Sequence, residues 1–288
     1  MTSTYPPARH AIRDLDLWTF HSSAERSVCV APLTDVVRNA AGHAALGFLT
    51  AVVDVSAAVV ALIAGQPEWT ATADLTLHQA APITQGPVVV ESHLVRAGSN
   101  IVVVGADAFD GKGGDGGGRD RDALLDTTAL TPAGSSIVTF ARIPRRASAA
   151  AGKFDPAANL GHWRQMGPDD EHPAAPEALL DRIGLRIIDA AAGVVELDQT
   201  PYVANSFGTI NGGVLGMVFQ GAAEAAYPGL VAADVQIHYL AQSKGGPART
   251  SLTPIRVSAD HAVCSLELVD TGNDDRLLSH AVVTLVRY

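Results

Sequence analysis

The sequence predicts an α+β protein in which one structural unit is used twice. Three observations carry that prediction. A long apolar helical segment followed by four alternating, strand-like segments occurs in each half of the chain. Marked residues of the two halves recur at a constant spacing. At 288 residues, 47% of them apolar, the chain has enough material for two cores of ordinary size.

The elements follow in order. SVCVAPLT (27–34) reads as a strand, and the apolar run over 42–64 as a buried helix. TATADLTLH (70–78), VVVESHLVR (88–96), IVVVGADAF (101–109) and SSIVTFARI (135–143) alternate as half-buried antiparallel strands do. The second half repeats the order with the strand GVVELDQT (193–200), a shorter helix over 212–226, and then ADVQIHYL, TSLTPIRVS, AVCSLELVD and SHAVVTLVR. A glycine-rich excursion, GKGGDGGGRDRD (111–122), interrupts the first half. The expected division is 1–145 for the first repeat, 146–176 for an alanine- and proline-rich linker, and 177–288 for the second repeat.

Composition excludes several function classes. A net charge of −10 speaks against a nucleic-acid surface, and the basic pair Arg145 and Arg146 is too short to change that. Cys29 and Cys264 lie far apart in apolar strands without metal-ligand spacing, so they read as buried thiols in a reducing compartment. The N-terminal residues lack the pattern of a signal peptide, which gives a cytoplasmic expectation. The apolar segment over 44–64 approaches a membrane span in length. It carries Asp54 at its middle, at an insertion cost of about 2.5–3.5 kcal/mol, so a core helix is the expectation and no membrane partner is. No metal or cofactor is expected.

The spacing locates a candidate site. Asn39 and Asn205, Gly42 and Gly208, Gly47 and Gly213, and Asp54 and Gln220 are each 166 residues apart. After a shorter loop, Asp74 and His78 match Asp234 and His238, while Arg96 and Asp110 match Arg256 and Asp270. Between residues 39 and 67, Asp54 is the single Asp, Glu, Lys or Arg, and a lone charge in an apolar helix requires an explanation. Asn211-Gly212-Gly213 opens the second helix. Helix N-termini present unpaired N–H groups to an anion, and glycine lets an oxygen approach them; the same tripeptide also serves as a plain helix cap.

On these residues the chain resembles the hotdog-fold acyl-CoA thioesterases, in the branch related to phenylacetyl-CoA thioesterases. Their motif, N-x-x-G-x-x-H-G-G followed by an acid on the same helix, is split here. Asn205, Gly208, Gly212 and Gly213 stand in the second half with Asn211 for the histidine and Gln220 for the acid. The first half keeps Asn39, Gly42, Gly47 and Asp54 but has Ala45 and Leu46 in place of the histidine and first glycine. The resemblance implies a double hotdog, two repeats each with a curved antiparallel sheet wrapped around a long central helix. It implies an intramolecular pseudo-dimer, with further homo-oligomerisation left open, and acyl-CoA as the substrate partner.

Carried over position by position, the resemblance implies one composite site. Asp54 is then general base or nucleophile, and Thr72, eighteen residues later on a strand, orients water. Asn205 and Gly213 complete the catalytic set; Asn211, Gly212, Gln220 and Arg96 are substrate-binding candidates. The reciprocal site, with Gln220 and Ala232, lacks a base and is expected to be inactive. Glu224 reads as a solvated charge, and His78 and His238 as strand residues that pack or hydrogen-bond. A hydratase or dehydratase on the same fold and a non-catalytic acyl-CoA or lipid binder are the rival readings.

Overall fold

The computed structural model describes residues 5–113, 121–144 and 156–288. Most of the glycine-rich run, the Arg145–Arg146 pair and the start of the expected linker lie outside the described residues.

Two helices set the architecture. Helix α1 (Leu46–Ala64) needs no amphipathic stripe because nearly every residue of its first half is buried; Gly65 ends it by donating to Ala61 O. It is long and apolar enough to cross a membrane, but 72% of that stretch is buried inside the fold, which makes it a core helix. Helix α2 (Leu179–Arg182) is one short turn. Helix α3 (Gly212–Ala226) starts where the sequence puts it, with Asn211 as N-cap.

The helices meet through their small residues. A β-carbon on Gly47 would lie 2.5 Å from Met217 Cα, and one on Gly213 would lie 2.6 Å from Ala51 Cα. These two contacts are the same contact seen from either half, since each residue of one pair stands 166 positions from a member of the other. Only glycine permits the backbones to come this near.

The strands form one antiparallel sheet. In the first half these are β1 (Leu17–Ser23), β2 (Arg26–Ala31), β3 (Trp69–Gln79), β4 (Val88–Ala97), β5 (Ile101–Asp110) and β6 (Thr131–Ile143). Then come β7 (Trp163–Met166), β8 (Arg186–Asp189), β9 (Val194–Leu197), β10 (Val231–Tyr239), β11 (Ala248–Val257), β12 (His261–Asp270) and β13 (Arg276–Val286). Their order across the sheet is β7-β1-β2-β4-β5-β6-β3-β10-β13-β12-β11-β9-β8, so the second half runs outward from β10 as the first does from β3. At the centre Thr76 lies opposite Gln236, flanked by Leu75 opposite Ile237 and Leu77 opposite Val235. The leucines, valine and isoleucine face the helices and are buried.

Matched polar contacts accompany the matched strands. Asp110 accepts from the amides of Thr84, Gln85, Gly86 and Lys112. Asp270 accepts from those of Lys244, Gly245, Gly246 and Gly272. Burial opposes ionisation of both carboxyls, but the four amides outweigh it and hold them below the usual range. His78 pairs with Asp234 at 3.6 Å, and His238 hydrogen-bonds Asp74. Both histidines thus tie the halves together on the outer sheet face.

The segment expected to be a linker contributes to the sheet. A 3₁₀ turn (Pro156–Asn159) leads into β7, which pairs with β1 at the sheet edge, with Trp163 tilted against Phe20. Cys29 and Cys264 are both fully buried free thiols, and burial pushes each up to about 12. Neither is an available nucleophile at neutral pH.

Candidate active site

Asp54 lies one turn beyond Ala51, so the tight α1–α3 crossing carries it to the N-terminus of α3. Only 7% of it is exposed. Thr72, on β3 just before the bulge at Ala73, donates its hydroxyl to Asp54 Oδ1 at 2.7 Å. The second oxygen points at the helix start: a β-carbon on Gly212 would lie 3.1 Å from Asp54 Oδ2. Burial raises the Asp54 carboxyl to about 6, against the opposing effects of the Thr72 hydroxyl and the Gly213 amide. A carboxylate poised this close to neutral pH is suited to accept a proton.

Asn211 caps α3 by accepting from the Gly213 amide at 2.9 Å, while its Nδ2 donates to the Tyr5 hydroxyl at 3.1 Å. Tyr5 exposes 37% of its surface, with the hydroxyl end turned inward. Burial first, and Asp54 after it, push the Tyr5 phenol up to about 12, only partly offset by the Asn211 hydrogen bond. The tyrosine ring stands edge-on to His10, which is itself fixed by Ala204 O at 2.8 Å and by the Ile12 amide. The N-terminal segment therefore packs over the second-half loop. Tyr239 completes the surroundings by donating to Gly212 O at 3.1 Å.

The reciprocal position is filled differently. Gln220 Oε1 accepts from the Gly47 amide at 2.7 Å, and Gln220 Nε2 lies 3.1 Å from both oxygens of Glu224. Glu224 also accepts from the Ala232 amide at 3.0 Å. Burial raises the Glu224 carboxyl, in opposition to those two hydrogen bonds. The expectation of a solvated Glu224 is therefore corrected: β10 begins against its carboxylate, and Gln220 joins it to the opposite helix.

The structure thus brings Asp54, Thr72, Asn211, Gly212 and Gly213 together. Asn205 has a loop-shaping part, with its Oδ1 accepting from the Phe207 and Thr209 amides just as Asn39 Oδ1 accepts from Ala41 and His43. No hydrogen bond among the described residues joins it to Asp54. Arg96 is exposed at the bulge of β4, as Arg256 is at the matching bulge of β11. Sequence reasoning did not find Tyr5 or Tyr239. An open groove of about 570 Å³, lined by His78, Gly134, Ser135 and Asp234 among others, shares no residue with the Asp54 cluster. Among the described residues, no three His, Cys, Asp or Glu side chains converge as a metal site.

Comparison with known proteins places the fold. The thioesterase superfamily model matches residues 41–116, the stretch holding α1, Asp54 and Thr72. No curated protein matches the chain. Among solved structures it is similar to the tesB protein of Mycobacterium avium subsp. paratuberculosis, at 13% identity and TM-score 0.55, over 96% of this chain and 97% of that one. It is similar to a conserved hot dog fold protein of Alicyclobacillus acidocaldarius, at 14% identity and TM-score 0.57, over 97% and 98%. A 12:0-ACP thioesterase from Umbellularia californica aligns at 10% identity and TM-score 0.57, over 90% and 93%. At such identities the likeness is one of fold. The chain has the hotdog thioesterase fold, an antiparallel sheet around a long helix.

Proposed function

We propose that the protein is a cytoplasmic acyl-CoA thioesterase, a tandem double hotdog of the branch related to phenylacetyl-CoA thioesterases, with one working site shared by its two repeats. The observation that carries this reading is Asp54: a buried carboxyl at about 6, tied to Thr72 and aimed at the glycine N-terminus of the opposite helix. The binding-only reading would want that carboxylate neutralised by an arginine and no tunnel reaching it. Among the described residues, no salt bridge engages Asp54.

In the reaction, water adds to the thioester carbonyl and the carbon–sulfur bond breaks, releasing free acid and coenzyme A. Asp54 Oδ2 takes the proton from water, since Oδ1 is held by Thr72. Thr72 donates to Asp54 and keeps lone pairs with which to accept from that water. The Gly212 and Gly213 amides and the positive end of α3 stabilise the oxyanion, at roughly 2.7–4 kcal/mol for a well-aimed donor. The departing thiolate receives the proton held by Asp54. Direct attack by the carboxylate would instead form an anhydride; ¹⁸O found in Asp54 after a single turnover in ¹⁸O-water identifies that route, with water opening the anhydride at the Asp54 carbonyl.

The test is release of free thiol from a panel of acyl-CoA esters by the full chain, with Asp54→Asn as control. No release from any ester by the wild-type protein would remove the reading.

The pH profile is a second expected outcome. Turnover requires ionised Asp54, so kcat/KM rises with pH through about 6 and levels off above it. Thr72→Val removes a hydrogen bond that favours the charged form, so the midpoint of the rise moves to higher pH. A midpoint unchanged in Thr72→Val would separate the observed titration from Asp54.

A further inference from the structure

We infer that Tyr239 is a positioning residue for the oxyanion-binding amide, an inference that rests on the thioesterase reading of the Asp54 site. A peptide unit joins the carbonyl of one residue to the N–H of the next. The Gly212 carbonyl and the Gly213 N–H are therefore two ends of one rigid plane, flanked by glycine Cα atoms that put no side-chain restraint on its rotation. Tyr239 holds the carbonyl end through its hydroxyl at 3.1 Å. Its ring closes the space beside the plane, since a β-carbon on Gly212 would lie 3.5 Å from Tyr239 Cε1 as well as 3.1 Å from Asp54 Oδ2.

Donation to the carbonyl oxygen has two effects on the N–H. It reinforces the direction that the first turn of α3 gives the amide, and by drawing electron density toward oxygen it makes the amide a better donor. At rest the Gly213 amide donates to a neutral acceptor, Asn211 Oδ1, at 2.9 Å, and also supports the Asp54 carboxylate, whose charge falls as it takes up the water proton. An oxyanion forming at the carbonyl carbon is a stronger acceptor, so a sharpened donor favours the transition state over the resting contact.

At the reciprocal position the equivalent carbonyl is held from within its own helix instead of from a neighbouring strand. Strand alignment sets Tyr239 against Gln79, whose backbone amide donates to Asp234. The carbonyl corresponding to Gly212 is that of Leu46, and it accepts from Thr50 on its own helix at 2.8 Å. The tyrosine belongs to the half of the molecule whose glycines face a carboxylate.

Tyr239→Phe keeps the ring and removes only the hydroxyl. With the ester that the wild-type protein turns over best, kcat should fall roughly three- to tenfold while KM changes less than twofold, with the fold intact by circular dichroism. The pH midpoint should rise, because a weaker Gly213 donor supports the Asp54 carboxylate less. The amide proton of Gly213 and the carbonyl carbon of Gly212 should both shift in the NMR spectrum, a readout that needs no substrate. Unchanged kcat and unchanged Gly212–Gly213 shifts would overturn the inference while leaving the thioesterase reading standing. An inactive wild-type protein would instead remove that reading, and with it this role for Tyr239, whatever the shifts report.

Discussion

Asp54→Asn loses turnover and gains stability. The amide keeps the shape of the side chain and can still accept from Thr72, but it has no basicity at neutral pH. Losing a positioned general base costs roughly 10²–10⁴ in kcat. The stability side follows from linkage. The folded-state carboxyl titrates at about 6 instead of the ordinary 3.8, so the fold prefers the protonated acid. That preference is fully present below the ordinary value and is lost as pH rises through about 6. By pH 8 the folded protein holds a buried charge disfavoured by about 3 kcal/mol, about two pKa units at 1.36 kcal/mol each. An uncharged asparagine escapes that penalty. The variant should therefore unfold at higher denaturant than wild type at pH 8, and the difference should vanish near pH 4. Equilibrium urea unfolding at the two pH values measures it. Retained turnover would end the assignment of Asp54, and a variant less stable at pH 8 would show the carboxylate to be held by more than Thr72 and the Gly213 amide.

How much of this site was legible in the sequence depended on where each residue's partner lay. Asp54 was legible because a single charge in an apolar helix is conspicuous in one dimension. Gly213 was legible because it recurs with Gly47 at the spacing of the repeat, and Gly212 because it stands between it and the Asn211 cap; recurrence also marked Asp110 and Asp270, whose amide nests are spaced identically. The helix limits at 212 and 226 came from a cap and a periodicity, both local signals. Tyr5 and Tyr239 gave no such signal. Tyr5 meets Asn211 only after the N-terminal segment has crossed to the second half, and a tyrosine at a strand end is compatible with many surroundings. Strand β7 escaped notice because four residues carry little periodicity, and its partner β1 lies far back in the chain. Glu224 was misjudged because its counterpart is Ala58, and a charge matched to an alanine reads as surface. Burial there comes from the strand that starts seven residues later, at Val231.

The second large effect concerns Gln220, where stability falls and turnover does not. Its side chain bridges the two helices, accepting from the Gly47 amide at 2.7 Å and donating to Glu224. Gly47 cannot find a replacement partner by moving, because its backbone already touches Met217, and Gln220 is only 4% exposed. Gln220→Ala therefore leaves a buried N–H without its acceptor and opens a gap, at a cost of roughly 1–3 kcal/mol for the unsatisfied group alone. Glu224 loses a donor as well, and its raised carboxyl should rise further. None of these groups touches Asp54 or Gly212, so kcat should stay within about twofold of wild type. The pair of variants then dissociates the two pseudo-equivalent positions: Asp54→Asn costs rate and spares the fold, and Gln220→Ala costs the fold and spares rate. A tenfold loss of kcat in folded Gln220→Ala would mean that both positions take part in catalysis. The resting geometry argues otherwise, because the group facing the Gly47 amide is the neutral Gln220 amide, which is no base at neutral pH, where the working position has the Asp54 carboxylate.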